Sequence, residues 1–179
     1  MSWKLVNALC YQMVWIACVA GAARHWQSVG VIATAAFVAL VLGCGGHRKA
    51  DLRLLPAVLL CGLLFDTTWI ALGWIDYSAP WPSQPLSPPW ILCIWIAFAM
   101  TLNHSLAFLK HRYGLAALFG AVVGPLAYWS ASRGLGAVRF QAPAVVVLAG
   151  LGMAWTLVLP LLVWVADRNA SPVIAEVAS

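Results

Sequence analysis

Charged residues are scarce in this chain. Ten Lys and Arg residues and five Asp and Glu residues make up 8% of the 179 residues, whereas 64% are hydrophobic. Soluble domains carry about 25% charged residues, so this chain has too few polar side chains to cover a water-facing surface. The scarcity excludes an ordinary soluble fold and indicates an integral membrane protein.

Metal-binding, redox and nucleic-acid motifs are also missing. None of the five cysteines stands at CxxC spacing, which disfavours a disulfide framework or a zinc site. The four histidines, at 25, 47, 104 and 111, are too scattered for the clustered ligands of di-iron desaturases and hydroxylases. No basic stripe is interleaved with aromatic residues for base stacking. We therefore expect no metal, no cofactor and no nucleic-acid partner.

Six long apolar runs fill most of the chain, at residues 5–23, 28–44, 52–75, 89–109, 115–130 and 142–166. A bilayer core of about 30 Å needs about 20 apolar residues per helix, so the two shorter runs only just span it. Spanning β-strands would alternate apolar and polar residues, but 91–99 and 144–151 are apolar on every side. The sequence predicts an all-α fold: a polytopic transmembrane bundle of six spans in one domain (1–168), with a short disordered tail (169–179).

Basic residues are distributed unequally between the two sides of the predicted bundle. With six spans, both termini lie on one side, together with the loops at 45–51 and 110–114. That side carries Lys4, Arg48, Lys49, Arg53, Lys110, Arg112 and Arg168. The other side carries Arg24, Arg133 and Arg139. Because Lys and Arg accumulate in cytoplasmic loops, we predict cytoplasmic termini. The proline-rich segment 78–89 is then periplasmic, with Trp81 and Trp90 at headgroup level.

Polar side chains inside the apolar runs are the candidate functional residues, because a charge near the bilayer centre costs at least about 2.5–3.5 kcal/mol. Asp66, the only acidic residue inside a run, lies about 21 Å from the cytoplasmic end of the third run at 1.5 Å per residue. Thr67 and Thr68 follow it. Tyr128 lies at a similar depth in the fifth run, and Arg133 follows just beyond. We predict a shared polar pocket near the midplane, with Arg133 above it.

A second tier of polar residues, Asn103, His104 and Gln12, is predicted about 10 Å from the cytoplasmic surface. His104 either shuttles protons, with Asn103 orienting it, or joins the amides in hydrogen bonds between helices. The depth difference of about 10 Å between Asp66 and His104 disfavours a hydrolytic triad. Asp66, His104 and Tyr128 remain the candidates for acid–base chemistry, with no reaction assigned.

Small residues in the fifth run predict a close helix contact. Gly120 and Gly124 form a small-xxx-small pattern, and Pro125 frees a backbone carbonyl near Ala121. The freed carbonyl either accompanies a simple kink or contributes to a polar site.

Three segments carry a resemblance to a known family: the one around Asp66, Leu-Asn-His-Ser-Leu at 102–106, and Gly-Pro-Leu-Ala-Tyr at 124–128. With them, nearly the whole chain resembles a family of small bacterial inner-membrane proteins classified as a domain of unknown function. Members are often encoded near cyclopropane-type fatty acid methyltransferases and flavin-dependent oxidases. The resemblance implies a bacterial inner-membrane location and a link to membrane-lipid modification, and it supplies no reaction.

Three function classes follow. The favoured one is an accessory protein in membrane-lipid or fatty-acid modification, which binds a membrane lipid or positions lipid-modifying membrane enzymes. The second is an intramembrane lipid-modifying enzyme that uses Asp66 and His104 as acid–base groups. The third is a small proton-coupled transporter that uses Asp66. Six spans without an internal repeat make this class the least favoured for a monomer, although a homo-oligomer could restore it.

Overall fold

Six α-helices and a two-stranded β-ribbon make up the computed structural model, which describes residues 2–80 and 86–170. The elements in chain order are α1 (Trp3–Ala23), α2 (Gln27–Cys44), α3 (Arg48–Ala71), β1 (Ile75–Tyr77), α4 (Pro89–Leu102), α5 (Tyr113–Arg133), β2 (Val138–Phe140) and α6 (Ala144–Ala170). One turn of 3-10 helix, Ala107–Leu109, lies between α4 and α5.

Five helices of the described residues, all except α4, are long and apolar enough to cross a membrane. The chain is therefore a multi-pass membrane protein by length and composition. The remaining predicted span, the fourth (89–109), contains a helix of only 14 residues, α4. At 1.5 Å per residue α4 is about 21 Å long, which is shorter than the bilayer core.

Helix α4 ends at Leu102, before the end of the predicted span, and the side chain of Asn7 stabilises this termination. Its amide nitrogen donates to the carbonyl of Met100 (3.1 Å), and its amide oxygen accepts hydrogen bonds from the hydroxyl (2.6 Å) and backbone N–H (3.2 Å) of Ser105. These bonds satisfy backbone groups that would be orphaned where the helix stops. Asn103 and Ser105 also favour turns, since their side chains compete for backbone hydrogen bonds.

The all-α prediction fits the fold, which adds only a short β-ribbon to its helices among the described residues. The third run, 52–75, was expected to be helical to its end, but α3 begins at Arg48 and stops at Ala71. Strand β1 then pairs antiparallel with β2, and Asp76 lies directly opposite Arg139, with 2.7 Å between their charged atoms. Strands of three residues are too short to give the alternating pattern by which strands are recognised.

Alternation along β1 turns Tyr77 toward the helices, where it is 2% exposed, while Asp76 faces outward. Trp90, predicted at headgroup level, is buried beneath the ribbon, and its indole N–H donates to the carbonyl of Ser78 at 2.9 Å. Trp81 lies outside the described residues.

The small residues of α5 pack against α6. A side-chain carbon on Gly120 would lie 2.5 Å from the carbonyl oxygen of Trp155, and one on Gly124 would collide with the Trp155 indole. The carbonyl of Ala121, freed by Pro125, faces Gly152 of α6. This proline therefore accompanies close helix packing, and the helix continues through it.

The bundle has two distinct ends. The ribbon end carries β1 and β2. At the opposite end, called the terminal end here, Trp3 of α1 bonds to His104 and the backbone N–H of His111 donates to Asp167 of α6. The first and last described helices thus meet on the 103–112 segment. Helix α6 continues to Ala170, two residues into the predicted tail, and residues 171–179 lie outside the described part of the chain.

Candidate functional site

The carboxylate of Asp66 is the centre of a buried polar cluster at the ribbon end. Its Oδ1 accepts hydrogen bonds from the hydroxyls of Tyr77 and Tyr128, both at 2.6 Å, and its Oδ2 accepts one from the indole N–H of Trp95 at 2.7 Å. Asp66 is 0% exposed. We call these four residues, which come from α3, β1, α4 and α5, the ribbon-side cluster.

The donors of this cluster favour the ionised form of Asp66, whereas its complete burial favours the neutral form. An indole N–H can only donate. Burial, and then the charge of Asp66, raise the pKa of Tyr77 well above its usual value, so its hydroxyl keeps its proton. Hydrogen bonds of 2.5–2.7 Å from a hydroxyl to an oxygen are typical of a carboxylate acceptor. A carboxylate that receives three donors is stabilised even where water is absent.

The negative charge of Asp66 has no cationic partner among the described residues. Among the described residues, basic side chains contact Asp51 (His104), Asp167 (His111) and Asp76 (Arg139), and none forms such a contact with Asp66. Burying a carboxylate without a cation is costly, and hydrogen bonds compensate for only part of that cost. Among the described residues, the ionised form of Asp66 is therefore compensated only by its three hydrogen bonds.

An apolar cavity of about 100 Å³ adjoins the ribbon-side cluster. It lies between α1 and α4 on one side and α5 and α6 on the other, and Val138 of β2 lines its ribbon end. Tyr128 and Trp95, the partners of Asp66, belong to its wall. Val123, another wall residue, is 42% exposed, so the cavity reaches the outer face of the bundle.

Aromatic rings dominate the wall of the cavity. They are Tyr11, Trp15, Trp90, Trp95, Phe98, Phe119, Tyr128 and Trp155. The indoles of Trp95 and Trp155 stack with their centroids 5.3 Å apart and their planes 3° from parallel. The close approach permitted by Gly124 lets Trp155 reach this position. The indole N–H of Trp155 is buried without a hydrogen-bond partner among the residues that the structure describes.

The second buried cluster lies at the terminal end around Asp51, a fully buried residue in the first turn of α3. Its Oδ1 accepts from the amide of Asn103 (2.8 Å), and its Oδ2 lies 3.0 Å from Nε2 of His104. The ammonium of Lys110 donates to the amide oxygen of Asn103 (2.7 Å). With Trp3, these residues form the terminal-side cluster.

The hydrogen bond from Trp3 fixes the tautomer of neutral His104. The indole N–H of Trp3 donates to Nδ1 of His104 at 3.1 Å, so Nδ1 carries no proton. The ring proton is then on Nε2 and points at Asp51. Burial lowers the pKa of Lys110, opposed by the charges of Asp167 and Asp51. The cluster thus joins a carboxylate, an imidazole and an ammonium through Asn103.

The structure brings Asp66 and Tyr128 together and places the other predicted members of that pocket elsewhere. The hydroxyl of Thr68 donates to the carbonyl of Leu64 on its own helix. Thr67 accepts a hydrogen bond from the backbone of Ser87 (3.2 Å), outside the cluster. Arg133 is exposed.

The position of Asp66 along α3 separates it from the terminal-side cluster. Asp66 lies five residues before the end of α3, or about 7.5 Å from the ribbon end. It is 15 residues from Asp51, or about 22 Å along the axis. Because His104 binds Asp51, Asp66 and His104 belong to separate sites.

Sequence reasoning missed Tyr77, Trp95, Asp51 and Trp3. Asp51 lies beside the basic residues of a loop-like segment, so nothing in the sequence marks it as buried. The adjacent pair Asn103 and His104 in an apolar run was the available signal for the terminal-side cluster, although it does not reveal the acidic partner. Gln12, which the depth estimate placed in the same tier, is exposed. The estimate failed for this residue because depth along a helix does not show which face of the helix a side chain occupies.

Comparison with known proteins identifies the family. Residues 4–161 match the model of a family described as proteins of unknown function, DUF2878. Since the match covers most of the chain, the protein belongs to this family. No curated protein and no solved structure matches the chain.

Proposed function

We propose that this member of the DUF2878 family is an inner-membrane accessory protein that binds a membrane lipid for modification. The observation that supports the proposal is the aromatic cavity between α1, α4, α5 and α6. Ligand sites in proteins are concave and mainly apolar, with a few polar groups that orient the ligand. Here the hydroxyl of Tyr128 and the unpartnered indole N–H of Trp155 are such groups.

The size of the cavity limits what it holds. A dry cavity of about 150 Å³ admits benzene, so about 100 Å³ accommodates a small group or a short length of acyl chain. The rest of a lipid would extend outward past Val123 into the bilayer. An acceptor such as an ester carbonyl would satisfy the buried N–H of Trp155, whose burial without a partner otherwise carries a cost.

We further propose that the terminal end is cytoplasmic and that α4 crosses the membrane with the adjoining turns. Two contacts support the crossing. Thr67 bonds to Ser87 just before α4, and Asp51 bonds to His104 just after it, so the segment 87–104 covers the same depth as 51–67 of α3. Alkaline phosphatase fused after Gln84 should be active, and a fusion at Ser179 should be inactive. The reverse pattern would overturn the orientation.

A cavity-filling variant tests the lipid proposal. Ala127 lines the cavity, so Ala127→Phe places a ring inside it. Ala117 lies on the same helix, is half-buried, and is not part of the wall; Ala117→Phe is therefore the matched control. Lipid profiles of a deletion strain should be restored by wild type and Ala117→Phe but not by Ala127→Phe, at equal protein abundance.

Photo-crosslinking provides a direct readout of the same site. Cells are fed a fatty acid carrying a diazirine, irradiated, and the purified protein is digested and mapped. Lipid adducts should appear on cavity-wall peptides of the wild type and Ala117→Phe, and should be lost from Ala127→Phe. Adducts that persist on those peptides in Ala127→Phe would contradict lipid binding in the cavity.

A proton-coupled transporter is the second candidate, because Asp66 is a buried carboxylate next to the cavity wall. It would be favoured if deletion of the protein left the lipid profile unchanged. An enzyme that uses Asp66 and His104 in one active site is disfavoured, since these residues lie in clusters about 22 Å apart along α3.

A further inference from the structure

We infer that the cavity binds the cationic group of an amphiphile, such as a quaternary ammonium, with its alkyl chain directed away from the ribbon end. This inference rests on the proposed lipid binding and specifies the ligand class for the same cavity. The site is built from the aromatic wall and from the charge of Asp66 behind it.

The first argument is charge complementarity. Asp66 is fully buried, receives three hydrogen bonds, and forms no ion pair within the described residues. All three of its donors are neutral, so no described residue offsets the charge of the ionised carboxylate. A cation in the adjoining cavity would neutralise it across one layer of side chains. At such short range and in a low dielectric, this attraction is much stronger than it would be in water.

The second argument is the chemistry of the wall. Tyr128 and Trp95 both line the cavity and both donate to Asp66. Hydrogen bonding to a carboxylate pushes electron density into an aromatic ring and strengthens its attraction for a cation. Quaternary ammonium groups are recognised by aromatic rings in this way. A purely hydrocarbon ligand would not need a buried carboxylate behind the wall.

The third argument is position and volume. Asp66 and Tyr128 each lie five residues from the ribbon end of their helices, or about 7.5 Å. An amphiphile headgroup can reach this level from the membrane surface. On α5 the wall extends from Ala131 to Phe119, about 18 Å of helix, and the exposed Val123 lies between them, so the alkyl chain can leave the headgroup away from the ribbon end and pass Val123 into the bilayer. A volume of about 100 Å³ suits a trimethylammonium group.

Two ligands of the same shape, one charged and one neutral, test whether binding in the cavity depends on the charge of the ligand. Octyltrimethylammonium and its uncharged isostere, in which carbon replaces the nitrogen, are titrated against purified full-length protein in maltoside micelles, with tryptophan fluorescence as readout. Each ligand is titrated against wild type, Asp66→Asn and Asp76→Asn. Asp76 is the matched control because it is the acid of the exposed ribbon ion pair.

The cation should bind Asp66→Asn about tenfold more weakly than wild type, and the isostere should bind both equally. Asp76→Asn should match wild type with either ligand. Comparing variants with one ligand at a time cancels the different partitioning of the two ligands into micelles. If Asp66→Asn fails to accumulate, Tyr128→Phe replaces it, since it keeps the ring and removes one bond to Asp66; a preferential loss of cation binding is again expected.

The outcomes distinguish this inference from the lipid proposal. Equal loss of both ligands in Asp66→Asn, or unchanged cation binding, would overturn the cationic ligand while leaving the cavity as a lipid site. Failure of both ligands to bind wild type, together with crosslinks unaffected by Ala127→Phe, would overturn the cavity as a binding site altogether.

Discussion

The ribbon-side and terminal-side clusters both stabilise a buried carboxylate, but they do so with different partners. Each is built around a fully buried aspartate of α3, Asp66 in one case and Asp51 in the other. Asp51 lies in the first helical turn, where the helix dipole favours a negative charge, and it contacts an imidazole and, through Asn103, an ammonium. Asp66 has none of these and depends on two hydroxyls and one indole.

The difference shows what each cluster can do. The terminal-side cluster includes a cation, the ammonium of Lys110, which reaches Asp51 through Asn103. The cluster also ties α1, α3 and the segment after α4 together. The ribbon-side cluster contains no cationic side chain and shares two side chains with a cavity. A ligand or proton can therefore change the energy of the ribbon-side cluster more than that of its counterpart.

Removing the carboxylate of Asp66 should give the largest loss of stability. Asp66→Ala leaves three buried donors without an acceptor, each costing about 1–3 kcal/mol, so the free energy of unfolding should fall by about 3 kcal/mol or more. SDS titration in mixed micelles, followed by tryptophan fluorescence, measures it. Asp76→Ala, which removes an exposed ion pair, should cost less than about 1 kcal/mol.

Asp51→Ala provides the corresponding measurement of stability at the terminal-side cluster. It orphans only two donors, on Asn103 and His104, and both lie beside the polar terminal end. The loss should therefore be smaller than for Asp66→Ala. Equal losses at the two aspartates would show that the absence of a cation at Asp66 has no energetic consequence.

Parts of both clusters could be predicted from the sequence, and the limits have physical causes. Counting 1.5 Å per residue placed Asp66 and Tyr128 at one level because both lie in regular helices. The same count cannot place Tyr77, which follows α3 in a strand that folds back over the bundle. Trp95 resembles any other aromatic residue of an apolar run. Arg133 follows Tyr128 by five residues on α5, but the sequence does not give the direction of its side chain, which depends on packing.

The next largest effect is expected from Gly62, which lets α4 approach α3. A side-chain carbon at this position would collide with the indole of Trp95, displacing the donor of Asp66. Overpacking of this kind costs about 1–3 kcal/mol, so Gly62→Ala should lower the free energy of unfolding by about 2 kcal/mol. Gly43→Ala is the control, because no atom lies within 4 Å of its added carbon; a Gly62→Ala protein as stable as this control would refute the close packing.

Asn103→Ala tests the central link of the terminal-side cluster. The substitution removes the amide that donates to Asp51 and accepts from Lys110, so both charged groups lose a partner. The loss should be about 1–2 kcal/mol, since His104 still binds Asp51, and it should appear as reduced accumulation in the membrane. Gln12→Ala, at an exposed position of α1, should accumulate normally. Normal accumulation of Asn103→Ala would mean that Asn103 has no packing role.

Removing a single hydroxyl should give the smallest change in the free energy of unfolding, and it allows a buried tyrosine to be compared with an exposed one. Tyr77→Phe removes one of the three donors to Asp66 and keeps the ring. Because Asp66 is buried and has no cation to compensate, we expect a loss of about 1–2 kcal/mol. Tyr113 also donates to a carboxylate, that of Asp167 (2.9 Å), but it is 38% exposed, so water can replace its hydroxyl and Tyr113→Phe should be indistinguishable from wild type. If the two variants lost equal stability in the same SDS titration, the ribbon-side cluster would be no more dependent on its hydroxyl donors than an exposed site, and Asp66 would have to be protonated or otherwise neutralised.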